Sequence, residues 1–274
     1  MHHADVAAQR VLVLVAKVSG LPPVEAARRP VGHGGVDQCG DDVAQYGRRG
    51  GVVRKRRLLG ASVVGEEIFE PASTDFTSAI QALLATNPDA LVVISFDEIK
   101  TIAEQLAGQG FDFSKLYGVD GNYGVIGEAD TNVDIAGAQF TNPGVLATED
   151  FQAKLQDLVA EQGQDPLTVF SYAAESHDAT VLSALAALKG GATDGATIKA
   201  NLQDVSEGGE KCESFADCAK LLADDADADI DYDGVSGPIS WDENGDETEA
   251  FVSIFQYSAG NKTEGVDQVA GKLE

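Results

Sequence analysis

The sequence predicts an α/β protein: parallel strands with flanking helices. Three observations carry this. From Ala61 onward, strand-like and helix-like segments alternate in the order β-α-β-α-β with short connections, which implies a parallel sheet covered by helices on both faces. Residues 90–95, ALVVIS, form a continuous apolar run, the pattern of a strand buried in such a sheet. Between the strands, apolar residues recur at helical spacing: Phe76, Ile80, Leu83 and Leu84, then Ile99, Ile102, Ala103 and Leu106.

Each element has its own signal. Residues 62–69, SVVGEEIF, alternate and are rich in strand formers. Pro71, Ser73 and Thr74 supply a turn and helix cap, and Asn87-Pro88 ends the helix that follows. Asp97 is placed to cap the second helix, which Gly108 and Gly110 close. KLYGVD (115–120) and DIAGAQFTNPG (134–144) are the next strands, and three helical patterns follow at 150–162, 168–188 and 194–205. After one complete βαβαβ unit these elements imply a return to a different lobe. Residues 229–260 then hold two short strands around Asn244-Gly245, a β-hairpin signal.

Charge divides the 274-residue chain. Residues 1–57 carry ten Lys and Arg against five acids, a balance of +5, and the other 217 carry nine against forty, or −31. So acidic a body repels nucleic acid and anionic membrane surfaces, and it suits a secreted or periplasmic monomer. An acidic cytosolic protein would have the same balance. No apolar run approaches the ~18 residues of a membrane span. Residues 1–57 show no clean helical or strand period, although VLVLV is a strand-like run, and they hold three of the four histidines. They are expected to be atypical, partly disordered or mistranslated, in front of an ordered body.

Cys39 stands alone, while Cys212 and Cys218 form a C-x5-C pair. A disulfide between them would close a very short loop and add roughly 2 kcal/mol; two reduced thiols on a helix turn are the alternative. The segment DIDYDGVSGPIS places Asp229, Asp231, Asp233 and Gly234 like the opening of a calcium loop, but the twelfth position is Ser240 rather than Glu, and an acidic turn is the simpler reading. SYAAESHDAT offers nucleophile, base and acid within one helix, but without a nucleophile elbow. His177 is therefore expected as a partly buried helix residue. No phosphate-binding glycine loop and no zinc spacing is present, so neither an enzyme nor a cofactor or metal is expected.

The stretch GPISWDENGDETEAFVSIFQY (237–257) is similar to the C-terminal hairpin of leucine/isoleucine/valine-binding proteins. STDFTSAIQALLATNPDALVV (73–93) resembles the helix and strand that open the second lobe of that family, and DYDGVSG with the C-x5-C segment resembles its actinobacterial members. The likeness runs from about Leu58 to Gly260. It implies a type I periplasmic binding protein fold, with one complete lobe (58–140), then a crossover and the C-terminal part of the first lobe (141–260), and a tail (261–274). The N-terminal core of the first lobe has no counterpart, so binding by this chain is expected to be weak or absent. The resemblance implies the substrate-binding component of an ABC importer. It would capture an amino acid of branched-chain type, or a similar small polar solute, between two lobes and deliver it to permease subunits outside the cytoplasm. A ligand sensor of the same fold, or a truncated product without function, is the alternative.

Three positions carry over from that family. Asp120, in YGVDGN, stands where a carboxylate accepts the ligand ammonium, a charge-assisted hydrogen bond. Phe96, just after ALVVIS, stands where an aromatic side chain caps the ligand. Tyr46, in DVAQYG, matches a tyrosine that lines the cleft.

Overall fold

The computed structural model describes residues 11–18, 61–69, 73–130, 132–225, 228–242 and 244–272. The chain forms two compact units, Met1–Phe140 with Gln256–Glu264 and Thr141–Phe255 with Gly265–Glu274.

Unit 1 begins with β1 (Val11–Val18), β2 (Ala61–Phe69), α1 (Thr77–Leu84), β3 (Ala90–Ile94), α2 (Glu98–Gly108) and β4 (Leu116–Gly118). The chain leaves it within β5 (Gln139–Pro143) and returns through β8 (Glu249–Ser258) and β9 (Lys262–Lys272). Strands β3, β4 and β5 are parallel neighbours, with Leu91 opposite Leu116, Val92 opposite Tyr117, and Gly118 opposite Phe140. These short βαβ steps are what the alternating pattern requires.

One neighbour differs from expectation. β2 does not lie beside β3. β1, from the segment expected to be atypical, sits between them and runs antiparallel to both, with Val13 opposite Glu67 on one side and Val93 on the other. Local patterning names a strand but not its partner, and VLVLV supplied a strand that the alternation rule had not used.

The helices follow their apolar stripes. Ile80 and Leu83 of α1 are buried, as are Ile99, Ile102, Ala103 and Leu106 of α2. Leu91, Val93 and Leu116 are buried in the strands, and burying each large apolar side chain contributes about 1.5–3 kcal/mol. The alternate face behaves differently: Ile94 and Tyr117 are each 38 % exposed, so β3 is buried on one face rather than two. The start of α1 is tied to α2 by Phe76 N–H donating to Gln105 Oε1 at 2.8 Å. Asp97 makes no side-chain cap; the neighbouring Glu98 accepts from Phe96 N–H at 3.0 Å instead.

The end of the chain adds a strand where a tail was expected. Asn261, at φ 57°, turns β8 into β9. Its amide donates to the carbonyls of Asp130 and Val133 and accepts from Ile135 N–H, all within 3.0 Å, which anchors the loop before β5. Asn244-Gly245 closes only an isolated bridge, Trp241 to Glu247; the long hairpin is β8–β9.

Unit 2 contains α3 (Glu149–Glu161), α4 (Ala173–Gly190), α5 (Gly195–Asn201), β6 (Glu210–Cys212), α6 (Phe215–Asp224) and β7 (Ile230–Tyr232), with β6 and β7 parallel. α4 starts five residues later than its apolar pattern, because Tyr172 at the N-cap is left-handed at φ 60°. Its buried side, Leu182, Leu185 and Ala186, packs in one core with Val205, Ile230 and Tyr232. Cys212 and Cys218 are joined as a disulfide within this core, Cα atoms 5.3 Å apart, linking β6 to α6. Ser214 caps α6 by accepting from Asp217 N–H at 3.1 Å.

Candidate ligand-binding site

Parallel strands place their C-terminal ends on one edge, and the loops leaving that edge are where α/β folds hold ligands. In unit 1 those loops are Ser95–Asp97, after β3, and Val119–Asn122, after β4. Phe96 leaves the first with its ring 49 % exposed. Asp120 leaves the second, also exposed, in a single 3-10 turn, Asp120–Asn122. The loops approach closely because Gly121 has no side chain. A Cβ there would lie 2.9 Å from the Ser95 carbonyl and 3.1 Å from the Phe96 ring. The structure therefore brings the Phe96 loop and the Asp120 turn together, an aromatic side chain on one and a carboxylate on the other.

What holds the loops in register is buried beneath them. Asn122 is 1 % exposed and Ser95 4 %. Asn122 Nδ2 donates to the Val93 carbonyl at 2.9 Å and to Ser95 Oγ at 3.0 Å, while its Oδ1 accepts from Val119 N–H at 2.9 Å. Gly118 leaves room for this amide, since a Cβ on it would meet Asn122 Oδ1 and the ring of Phe140. Tyr257 closes the far side: its hydroxyl accepts from Gly124 N–H at 3.1 Å, its ring meets Phe140 edge-on at 5.1 Å, and burial pushes its pKa up to about 12.

Unit 2 has its own polar cluster. Asp178, on the buried side of α4, accepts from the Tyr232 hydroxyl at 2.7 Å and from both the N–H and the hydroxyl of Ser236 at 2.6 Å. His177 Nδ1 lies 2.9 Å from the same carboxylate. Burial pushes the Asp178 pKa up, but these hydrogen bonds from Ser236, His177 and Tyr232 together outweigh it and leave the group below the usual carboxylate range. Gly234 is required here, because a Cβ would run into the Asp178 carboxylate. The acidic turn thus folds around Asp178. Its own carboxylates face Lys211, whose ammonium is 2.9 Å from Asp233 and 3.6 Å from Asp231. Among the described residues no group of three or more His, Cys, Asp or Glu could hold a metal ion. His177 is more open than expected, 45 % exposed, and packs edge-on to Phe151 at 5.5 Å.

A pocket of about 240 Å³ opens in unit 2, lined by Tyr172, Glu175, Ser236, Glu247, Glu249 and Phe251 among others. Glu175 accepts from Val145 N–H at 3.0 Å. Burial, and then the nearby Glu175 charge, raises the pKa of Glu247. The lining is acidic with an aromatic wall. No local pattern foretells it, since a left-handed tyrosine has no local signature.

Of the three positions carried over by resemblance, Phe96 and Asp120 stand on loops that meet, and Tyr46 lies outside the described residues. Asn122 and Ser95 were not singled out at all. No protein-family model matches the chain, and no curated protein does. Among solved structures, a leucine-binding protein, LivK, from Thermotoga maritima MSB8 is similar at TM-score 0.51 and 21 % identity, over 73 % of this chain and 50 % of that one. A type 1 periplasmic binding protein from Bordetella pertussis Tohama I follows at TM-score 0.44 and 13 % identity, over 72 % and 51 % of the two chains. The chain spans about half the length of these solved proteins. The first likeness establishes the fold as mixed α/β, a sheet rich in parallel strands with flanking helices, as the sequence predicts.

Proposed function

We propose that this chain is a solute-binding polypeptide that takes an amino acid of branched-chain type, acting outside the cytoplasm as the receptor for an ABC permease rather than as a catalyst. One observation carries the reading: the loops that carry Phe96 and Asp120, both exposed, meet at the C-terminal ends of parallel strands, where a Cβ on Gly121 would lie 3.1 Å from the Phe96 ring. A free amino acid carries an ammonium within two bonds of its side chain. A carboxylate and an apolar side chain on adjoining loops suit both groups. The shared fold with a protein described as leucine-binding supports the choice of ligand.

The test is a titration of the protein with L-leucine, L-isoleucine and L-valine, followed by ligand-observed NMR. Weak, saturable binding is expected for at least one of the three. It should vanish in Asp120→Ala and weaken in Phe96→Ala, with both variants folded. Binding that survives Asp120→Ala unchanged, or no binding by the parent chain, would overturn the reading.

A further inference from the structure

The hydrogen-bonded ladder between β3 and β4 stops at Val92 and Tyr117. One residue further on, Val93 and Gly118 are no longer paired in that ladder, and β4 ends at Gly118, ahead of the loop that carries Asp120. The Asn122 carboxamide fills the gap. It presents an N–H to Val93 O and a C=O to Val119 N–H, both at 2.9 Å. A carboxamide has the same donor and acceptor as a peptide group, so the side chain continues the ladder by one rung. Its second amide hydrogen reaches Ser95 Oγ at 3.0 Å, one residue before Phe96.

We infer that Asn122 is the positioning residue of the site, setting the spacing between Phe96 and Asp120 by bonding both loops with one buried amide. The inference rests on the reading of these two residues as the ligand contacts. Three features make the amide specific to the task. It is buried, so water cannot substitute for a lost partner. Its three bonds span both strand ends, and the partners Val93 and Ser95 lie 29 and 27 residues away. And two glycines, Gly118 before the turn and Gly121 within it, are those whose missing side chains allow the approach. Asn122 touches no solute itself. It acts through the loops, as the hydrogen-bonding partners of metal ligands do, where their loss costs about ten- to hundredfold in metal affinity.

The experiment compares the full chain with Asn122→Ala and with the milder Ser95→Ala, which removes one of the three bonds and leaves the ladder rung. Two readouts are taken well below the melting temperature, where all proteins are folded. The first is amide hydrogen exchange at Phe96, Asp97 and Val119. The second is L-leucine binding at the concentration that half-saturates the parent chain. Faster exchange is expected on both loops in Asn122→Ala, and on the Phe96 loop in Ser95→Ala, with at least tenfold weaker leucine binding in the first. Unchanged exchange at Phe96 and Asp97 in both variants overturns the inference. So does leucine affinity that stays at the parent value in a folded Asn122→Ala: a merely structural asparagine lowers the melting temperature without moving affinity. If the parent chain binds no leucine, the functional reading fails, and the exchange measurement alone decides whether Asn122 couples the loops. Should Asn122→Ala not fold, Ser95→Ala decides by the same two readouts.

Discussion

At the scale of single residues, the fold depends on a few buried polar groups that hold loops rather than cores. Asp178 is the clearest in unit 2. Removing its carboxylate would leave the Tyr232 hydroxyl and both donors of Ser236 without their acceptor. Breaking a buried, charged network of this kind costs about 3–5 kcal/mol. Asp178→Ala should lower the stability of the chain by that order in urea unfolding at pH 7. The pH dependence has a definite sign. A carboxyl whose folded pKa is depressed contributes stability that is present above its unfolded value, about 4, and is lost as pH falls through the folded one. The gap between the parent chain and Asp178→Asn should therefore narrow as the pH drops below about 4. A gap that widened on acidification would show that Asp178 is held protonated. Neither Asp178 nor Asn122 was legible in the sequence. Apart from Val119 and His177, their partners lie 27 to 58 residues away, and a side-chain bond across that distance leaves no local pattern. Phe96 and Asp120 were singled out only through the resemblance, and they stand two residues after β3 and β4.

At the scale of elements, periodicity worked where one face meets a core. The apolar stripes of α1 and α2 and the strands β3, β4 and β5 all stand where spacing put them. It failed for β9, whose residues KTEGVDQVAGK are exposed almost throughout and so carry no alternation to read. It also failed for the order of β1, β2 and β3, because a strand's pattern reports burial and not its neighbour. The Cys212–Cys218 bond belongs at this scale, since it ties three-residue β6 to ten-residue α6. Elements that short have little intrinsic stability. Closing so small a loop is worth roughly 2 kcal/mol in the chain-entropy account. Reducing the bond, or replacing both cysteines with serine, should lower stability by about that amount and raise hydrogen exchange first in α6 and β7. Equal stability with and without reductant would mean that the surrounding core of Leu222, Ile230 and Tyr232 holds these elements unaided.

At the scale of the whole molecule, charge sets the terms. The chain carries 45 acidic and 19 basic side chains, a net −26. Salt acts on such a protein in two opposing ways. It screens the mutual repulsion of the carboxylates, which favours the compact state. It also screens ion pairs such as Lys100–Asp130, at 3.0 Å, Lys211–Asp233 and Lys272–Glu249, which favours unfolding. Exposed pairs of this kind are worth about 0–1 kcal/mol each. Their lysines are 47 to 71 % exposed, so the pairs lie at the weak end of that scale. The repulsion, by contrast, is summed over an excess of 26 like charges. Sodium chloride should therefore stabilise the chain. A gain of about 1 kcal/mol would appear as a rise of about 2–4 °C in the thermal midpoint for a chain of this size. Most of it should come below about 0.3 M, where the Debye length falls steeply, and an equal concentration of sucrose should not reproduce that early saturation. A midpoint that fell with added salt would mean the ion pairs outweigh the repulsion, and the charge excess would then have to be one that the folded state spreads far enough apart to tolerate.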